Sequence, residues 1–301
     1  MTIVTLAILI ELQDAEPLQT AKTGAAHPWS LVASKGGKYI AILGSGSVEI
    51  RDSENLEIVK ALPVAASAVQ FNQRDRELAL AGQSLELYST RDWTRTFQAP
   101  LPEADKAGPG QAVFAWDGSA YYVAGSTHLC RAWEDGGQLV QRSLPISPSR
   151  LSKKEIGPRL RLWGFSEDTL LLSAHKESLL GVYLKERFYP LTYAESPIAV
   201  EVLEDRVVAV FGTSIVYYEP RSFKSMSRPI QIPSCSAATV DPVTRSVFFS
   251  SKEGLRAFPI DNPNQSKPIH AASFTSLAVH SASRRLYGLE SSGALRSWKL
   301  R

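Results

Sequence analysis

The chain has 301 residues, a formal charge of +3, 44% hydrophobic and 21% charged residues. That balance suits a globular protein, and it is too apolar for a disordered chain. So small a charge points to neither a nucleic-acid nor a membrane partner, and two cysteines are too few for a disulfide scaffold.

The first apolar run is Ile3–Ile10. It has no basic start and no small-x-small cleavage site, and it is too short to cross a bilayer as a helix. It is expected to be a strand, with no membrane insertion. A complete unit follows. Trp29–Ser34 reads as an innermost strand, Lys35-Gly-Gly37 as a turn and Tyr39–Leu43 as a second strand. Gly44-Ser-Gly46 turns into a third strand, Val48–Arg51, and Asp52–Asn55 into an outer strand, Leu56–Leu62.

The same order recurs. Innermost strands are expected near Ala68–Phe71, Ala112–Trp116, Leu160–Phe165, Ile198–Val202, Ser236–Val240 and Ser276–Val279. Each third strand ends on an aromatic residue: Tyr88, Trp133, Tyr183, Tyr218, Phe258 and Trp298, with Arg51 in that slot in the first unit. The steps are 37, 45, 50, 35, 40 and 40 residues. A strand-borne period of about 40 residues is the signature of a β-propeller.

The expected fold is therefore all-β, a seven-bladed propeller of four-stranded antiparallel blades in one domain, 1–301. The blades fall near 23–63, 64–100, 110–144, 158–194, 196–232, 234–271 and 273–301. The last unit stops just after its third strand, so an N-terminal strand within 1–22 is expected to complete the last blade and cover its edge. Ile3–Ile10 has the stronger β character; Pro17–Ala21 has the better position. Cys130 falls on a third strand and Cys235 at the start of an innermost one. In a ring they are far apart, which favours free thiols and a cytoplasmic or other intracellular reducing compartment.

Gly24-Ala-Ala-His27, Ser34–Ala41 and Gly46–Asp52 together resemble a WD40 repeat, and Trp133-Glu134 and Trp298-Lys299 occupy the place of that family's Trp-Asp pair. The resemblance covers the whole chain as a pattern. It implies a rigid platform for protein partners, with His27 and His270 placed where the family uses a histidine to bond its own blade.

One face of such a ring carries the outer-to-inner and second-to-third connections. The longest of these, Ser143–Arg161, holds Arg150, Lys153, Lys154, Arg159 and Arg161 against a single acid, Glu155. Long connections in compact domains are often functional. Gln98–Gln111 brings Glu103 and Asp105, and Lys176 and Lys252 add charge to the same face. These nine residues are the candidate partner-binding set. A protein of a larger complex, engaged through an acidic segment, is the expected partner; nucleic acid is disfavoured because the basic loop has no aromatic for base stacking. Arg131, Arg256 and Arg296, two residues before the aromatic slot, are expected to pack and bond between blades.

Four histidines, His27, His128, His175 and His270, fall in or beside these loops but in different blades, so no metal site is expected. No catalytic motif and no cofactor motif is present. The expected role is a non-catalytic scaffold or docking subunit. The alternative is an enzyme or small-molecule binder with its site in the central channel, where the inner strands offer Glu201, Arg161 and Trp163.

Overall fold

The computed structural model describes residues 16–72, 75–82, 84–100, 197–262 and 265–300, and the strands lying between 113 and 192. Its elements are all strands. β1 is Gln19–Lys22. The first sheet is β2 (Ser30–Ala33), β3 (Tyr39–Gly44), β4 (Ser47–Asp52) and β5 (Ile58–Leu62). The second is β6 (Ala68–Phe71), β7 (Glu77–Ala81), β8 (Ser84–Ser89) and β9 (Arg95–Pro100). The third is β10 (Val113–Trp116), β11 (Ala120–Ala124), β12 (Leu129–Asp135) and β13 (Gln138–Leu144). The fourth is β14 (Leu160–Ser166), β15 (Thr169–Ala174), β16 (Leu179–Leu184) and β17 (Arg187–Thr192). The fifth is β18 (Ala199–Val202), β19 (Val207–Val210), β20 (Ser214–Tyr218) and β21 (Ile230–Gln231). The sixth is β22 (Cys235–Asp241), β23 (Ser246–Ser251), β24 (Gly254–Pro259) and β25 (Lys267–His270). The last contains β26 (Ser276–His280), β27 (Arg285–Leu289) and β28 (Ala294–Lys299), with β1 as its fourth strand.

Every pairing is antiparallel, in the order inner, second, third, outer. Each innermost strand contacts the next in a closed cycle, β2, β6, β10, β14, β18, β22, β26 and back to β2. The ring closes through β1. Gln19 lies opposite Ser297 and Lys22 opposite Ala294. Leu18 N–H extends the ladder to the Ser297 carbonyl at 2.7 Å, and Thr23 N–H to that of Gly293 at 2.9 Å. Of the two N-terminal alternatives, the closing strand is the one beside the first unit; Ile3–Ile10 lies outside the described residues.

Where their side chains are described, the middle strands are largely buried on both faces because neighbouring sheets cover them. All of β3 and β19 is buried, which explains their runs of consecutive apolar residues rather than alternation. The cores lie between sheets. Ile40, Ile42 and Leu56 of the first sheet pack with Tyr287 and Leu295 of the last, and Phe249 and Phe258 of the sixth with Val208 and Tyr217 of the fifth. Cys130 and Cys235 sit on different sheets, and Cys235, in no disulfide, is a buried thiol that donates to the Phe211 carbonyl at 3.3 Å.

A turn device recurs that the period itself does not announce. Five residues beyond the aromatic slot, Leu56, Trp93 and Phe223 adopt positive φ of 60°, 59° and 53°. Each N–H closes back on the residue after the slot: Leu56 on Asp52 O at 3.1 Å, Trp93 on Ser89 O at 2.9 Å, Phe223 on Glu219 O at 2.8 Å. The left-handed backbone is costly for such side chains. Burial offsets that cost: Leu56 is buried in the core, and the Trp93 ring meets Tyr39 edge-on at 5.1 Å.

Candidate docking face

Antiparallel order puts alternate connections at opposite ends of each sheet. Inner-to-second and third-to-outer turns share one face of the ring; second-to-third turns and outer-to-inner connections share the other.

On the first of these faces, several polar groups hold sheets together. Asp75 accepts the Ser34 hydroxyl at 2.7 Å and Gly36 N–H at 3.0 Å across the first and second sheets. His280 of the last sheet bonds the Lys35 carbonyl through Nε2 at 3.1 Å, and Arg285 donates to the Glu54 carbonyl at 2.8 Å. Between the fifth and sixth sheets, Arg245 grips both Asp205 and Asp261. The Arg245 hydrogen bonds, aided by Arg206, hold the Asp205 carboxyl far below the usual carboxylate range. These groups are structural.

Of the expected docking residues, the structure describes Lys252 and the backbone of Arg161 on the second face. Lys252 is exposed in the turn between β23 and β24, where Ser251 Oγ accepts Glu253 N–H at 3.1 Å. Arg161 lies on β14; Arg150, Lys153, Lys154, Arg159, Glu103, Asp105 and Lys176 lie outside the described residues, as do His128 and His175. Near the start of the ring, the chain crosses from β1 to β2 and exposes Trp29, which is 45% accessible. Trp29 N–H is pinned to the Leu43 carbonyl at 2.9 Å, so the ring projects from a fixed backbone. Among the large apolar side chains exposed in the described residues it is the one aromatic. Reading the chain for loop charge passes over Trp29. The available signal was a tryptophan opening an inner strand where most other units place a small or aliphatic residue.

The two framework histidines behave differently. His270, expected to bond its own blade, instead ties the sixth sheet to the last: its Nδ1 accepts Ala272 N–H in the connection at 3.0 Å, and its ring packs edge-on against Trp298 at 5.7 Å. Burial and the neighbouring Arg296 lower its pKa. His27, in contrast, is exposed, with φ of 46°. Its expected role falls to Glu49 and Arg51, which bond the same connection: Gly24 N–H donates to Glu49 Oε2 at 2.7 Å. Arg51 is unusual in the aromatic slot for the same reason, since it reaches the end of the closing strand through the Lys22 carbonyl at 2.7 Å.

Of the three slot-adjacent arginines, Arg296 pairs with Glu290 at 2.7 Å and reaches His270 of the preceding sheet at 3.3 Å. Arg256 stays within its own sheet, donating to Ser266 Oγ at 3.1 Å. The Arg131 side chain is outside the described residues.

In the channel, Glu201 on β18 is the one expected ionisable group whose side chain is described. Burial pushes its carboxyl up to about 7, against the pull of Lys35 and the Val202 N–H. Its ordinary value is 4.5, so between those values the folded chain keeps a proton that the unfolded chain has lost. Stability must then fall as pH rises through that window. Glu201→Gln is expected to unfold at the same urea midpoint as the parent near pH 4, and to be more stable by about 1–3 kcal/mol at pH 8. Parallel midpoints at both pH values would show that the carboxyl is solvated. Gln70 Oε1, on the innermost strand β6, is buried without a hydrogen-bond partner among the described residues.

No family model matches the sequence, and no curated protein matches it. Solved structures do. The Myceliophteria thermophila Cps50 (Swd1) β-propeller domain superposes with a TM-score of 0.74 at 13% identity, over 95% of this chain and 99% of that one. A chain in the crystal structure of the mitotic checkpoint complex gives 0.73 at 10% identity, over 96% and 95%. Identities so low speak to fold alone. With the sheet order and the closed cycle of inner strands, they establish that this chain folds as a β-propeller.

Proposed function

We propose that the chain is a non-catalytic docking subunit of a multiprotein assembly, and that it receives a protein partner on the face bearing Trp29 and Lys252. The observation that carries this reading is Trp29, an exposed tryptophan on a pinned backbone; tryptophans so placed are over-represented among residues that dominate binding energy. Two features support it. On the opposite face several polar groups hold sheets together, and one of the similar solved structures is of an assembly, the mitotic checkpoint complex. The basic set Arg150, Lys153, Lys154, Arg159 and Arg161 belongs to the connection from β13 to β14 and the strand that follows it, and suits an acidic partner segment. Glu103 and Asp105, in the connection from β9 to β10, would orient the encounter rather than add bulk affinity. The same reading puts the chain in a reducing intracellular compartment, the cytoplasm included.

The test begins with affinity purification from the native source and mass spectrometry, which names the partner. Trp29→Ala is then expected to weaken capture by about 2 kcal/mol, roughly thirtyfold. Charge reversal at Lys153, Lys154 and Arg159 should slow association and flatten its salt dependence. Both variants should melt with the parent. Undiminished capture by both variants would remove this face from consideration.

A second reading, a ligand site in the channel, is favoured by one observation, the raised carboxyl of Glu201. Perturbed carboxyls recur at functional sites, although burial alone accounts for this one.

A further inference from the structure

The outer edge of the fifth sheet is unlike the others. Its outer strand, β21, has only two residues, Ile230 and Gln231, paired with Ile215 and Ser214. The chain leaves the third strand through the Glu219–Phe223 turn and returns to β21 by Lys224–Pro229, every residue of which is exposed. This return is held at the Ser225–Tyr218 bridge, where Met226 N–H donates to the Tyr217 carbonyl at 2.9 Å and the Lys224 carbonyl accepts Glu219 N–H at 2.9 Å. Beyond that point Ser227 and Arg228 form a bend outside any ladder, and Pro229 has no N–H with which to rejoin one.

Three serines lie here, and their surroundings differ. The Ser222 N–H is tied to the Glu219 carboxylate inside the turn. Ser225 is at the bridge, and its hydroxyl donates to the Ser227 carbonyl at 2.7 Å. The Ser227 hydroxyl has only a long local bond, 3.2 Å to the carbonyl of the next residue. Arg221, Lys224 and Arg228 flank Ser227 in sequence, and the nearest acid, Glu219, is engaged inside the turn with Ser222 N–H. Lys224 stands three residues before Ser227 and Arg228 directly after it.

From this geometry we propose that Ser227 is a phosphoacceptor for a basic-directed serine kinase using Mg·ATP. Such an enzyme must lay its substrate out as an extended strand and hold the flanking cations with its own carboxylates. Lys224–Pro229 meets both needs at the loss of one bridge, whereas serines within the ladders would require a sheet to open. In the transfer, the bond from the γ-phosphorus to the bridging oxygen of ADP breaks and a bond to Ser227 Oγ forms. The hydroxyl proton passes to the kinase's catalytic carboxylate. The product places about two negative charges among three cations, turning a basic edge into one an arginine-lined groove could bind. This surface is separate from the face that bears Trp29, so it stands or falls independently of the docking reading.

The folded full-length chain should be incubated with Mg·ATP and the catalytic domains of two basic-directed kinases, one cyclic-AMP-dependent and one of the protein kinase C type, and the phosphate mapped by mass spectrometry. The expected result is one phosphate, at Ser227. Ser227→Ala should abolish it, and Ser222→Ala and Ser225→Ala should leave it intact. Lys224→Ala should slow incorporation about tenfold, the loss of one charge-assisted contact. Phosphate on another serine, equal incorporation into Ser227→Ala, or none with either kinase overturns the proposal.

Discussion

Glu49→Ala is expected to destabilise the ring by about 3–5 kcal/mol, a large share of the roughly 5–15 kcal/mol typical of a folded domain. Glu49 and Arg51 are 3% and 4% exposed, and Glu49 Oε1 meets Arg51 Nε at 2.6 Å. The carboxylate also accepts the Thr23 hydroxyl at 3.0 Å and Gly24 N–H at 2.7 Å. Arg51 donates to the Lys22 and Leu56 carbonyls. The pair thus joins the first sheet to the segment that leaves β1, the one strand in the ring contributed from the far end of the chain. Without Glu49, a guanidinium stays buried with no counter-charge, which is far costlier than losing an exposed pair. Urea unfolding should show the loss, and hydrogen exchange should show it first at Thr23 and Gly24. The double variant Glu49→Leu, Arg51→Met should recover part of the stability, because no buried charge remains. Arg51→Trp restores the aromatic of the other units; a more stable chain from that change would refute the latch.

Gly37→Ala should cost a comparable amount by a different route. Gly37 has φ of +82°, and a Cβ there would lie 1.8 Å from His280 Cε1. That ring cannot move aside freely. It is 5% exposed, accepts Ser283 N–H at 3.1 Å through Nδ1, and bonds the Lys35 carbonyl through Nε2. The left-handed backbone contributes about 1 kcal/mol and the overlap a further 1–3 kcal/mol or more. Two companions separate these effects. Gly46 has φ of +76°, and a Cβ there would meet no atom within 4 Å, so Gly46→Ala should cost the backbone share alone. In the Gly37→Ala background, His280→Ala should cost much less than it does by itself, since the two positions share one contact. Simple additivity would mean that the ring and the turn do not meet.

Much of this was legible beforehand. The innermost strands at Ala68–Phe71, Leu160–Phe165 and Ser276–Val279 were visible because turn residues and consecutive apolar runs mark them, and the structure places β6, β14 and β26 there. Two features escaped. Leu56, Trp93 and Phe223 read as ordinary apolar residues, because nothing in their identity signals a positive φ. His27 matched a pattern position, yet the bond to that connection comes from Glu49, 22 residues further along the chain.

By itself the sequence determined the all-β class, the repeated unit and the need for a borrowed strand, because period, turn chemistry and apolar runs are local properties. Tertiary structure alone decided that Gln19–Lys22 closes the ring, that Arg51 and Glu49 secure the closure, and that Trp29 is exposed. These depend on residues brought together from opposite ends of the chain or on which neighbour covers a side chain. Even where the partners are near in sequence, as Glu49 and Gly24 are at 25 residues, it is the assembled ring that brings them together.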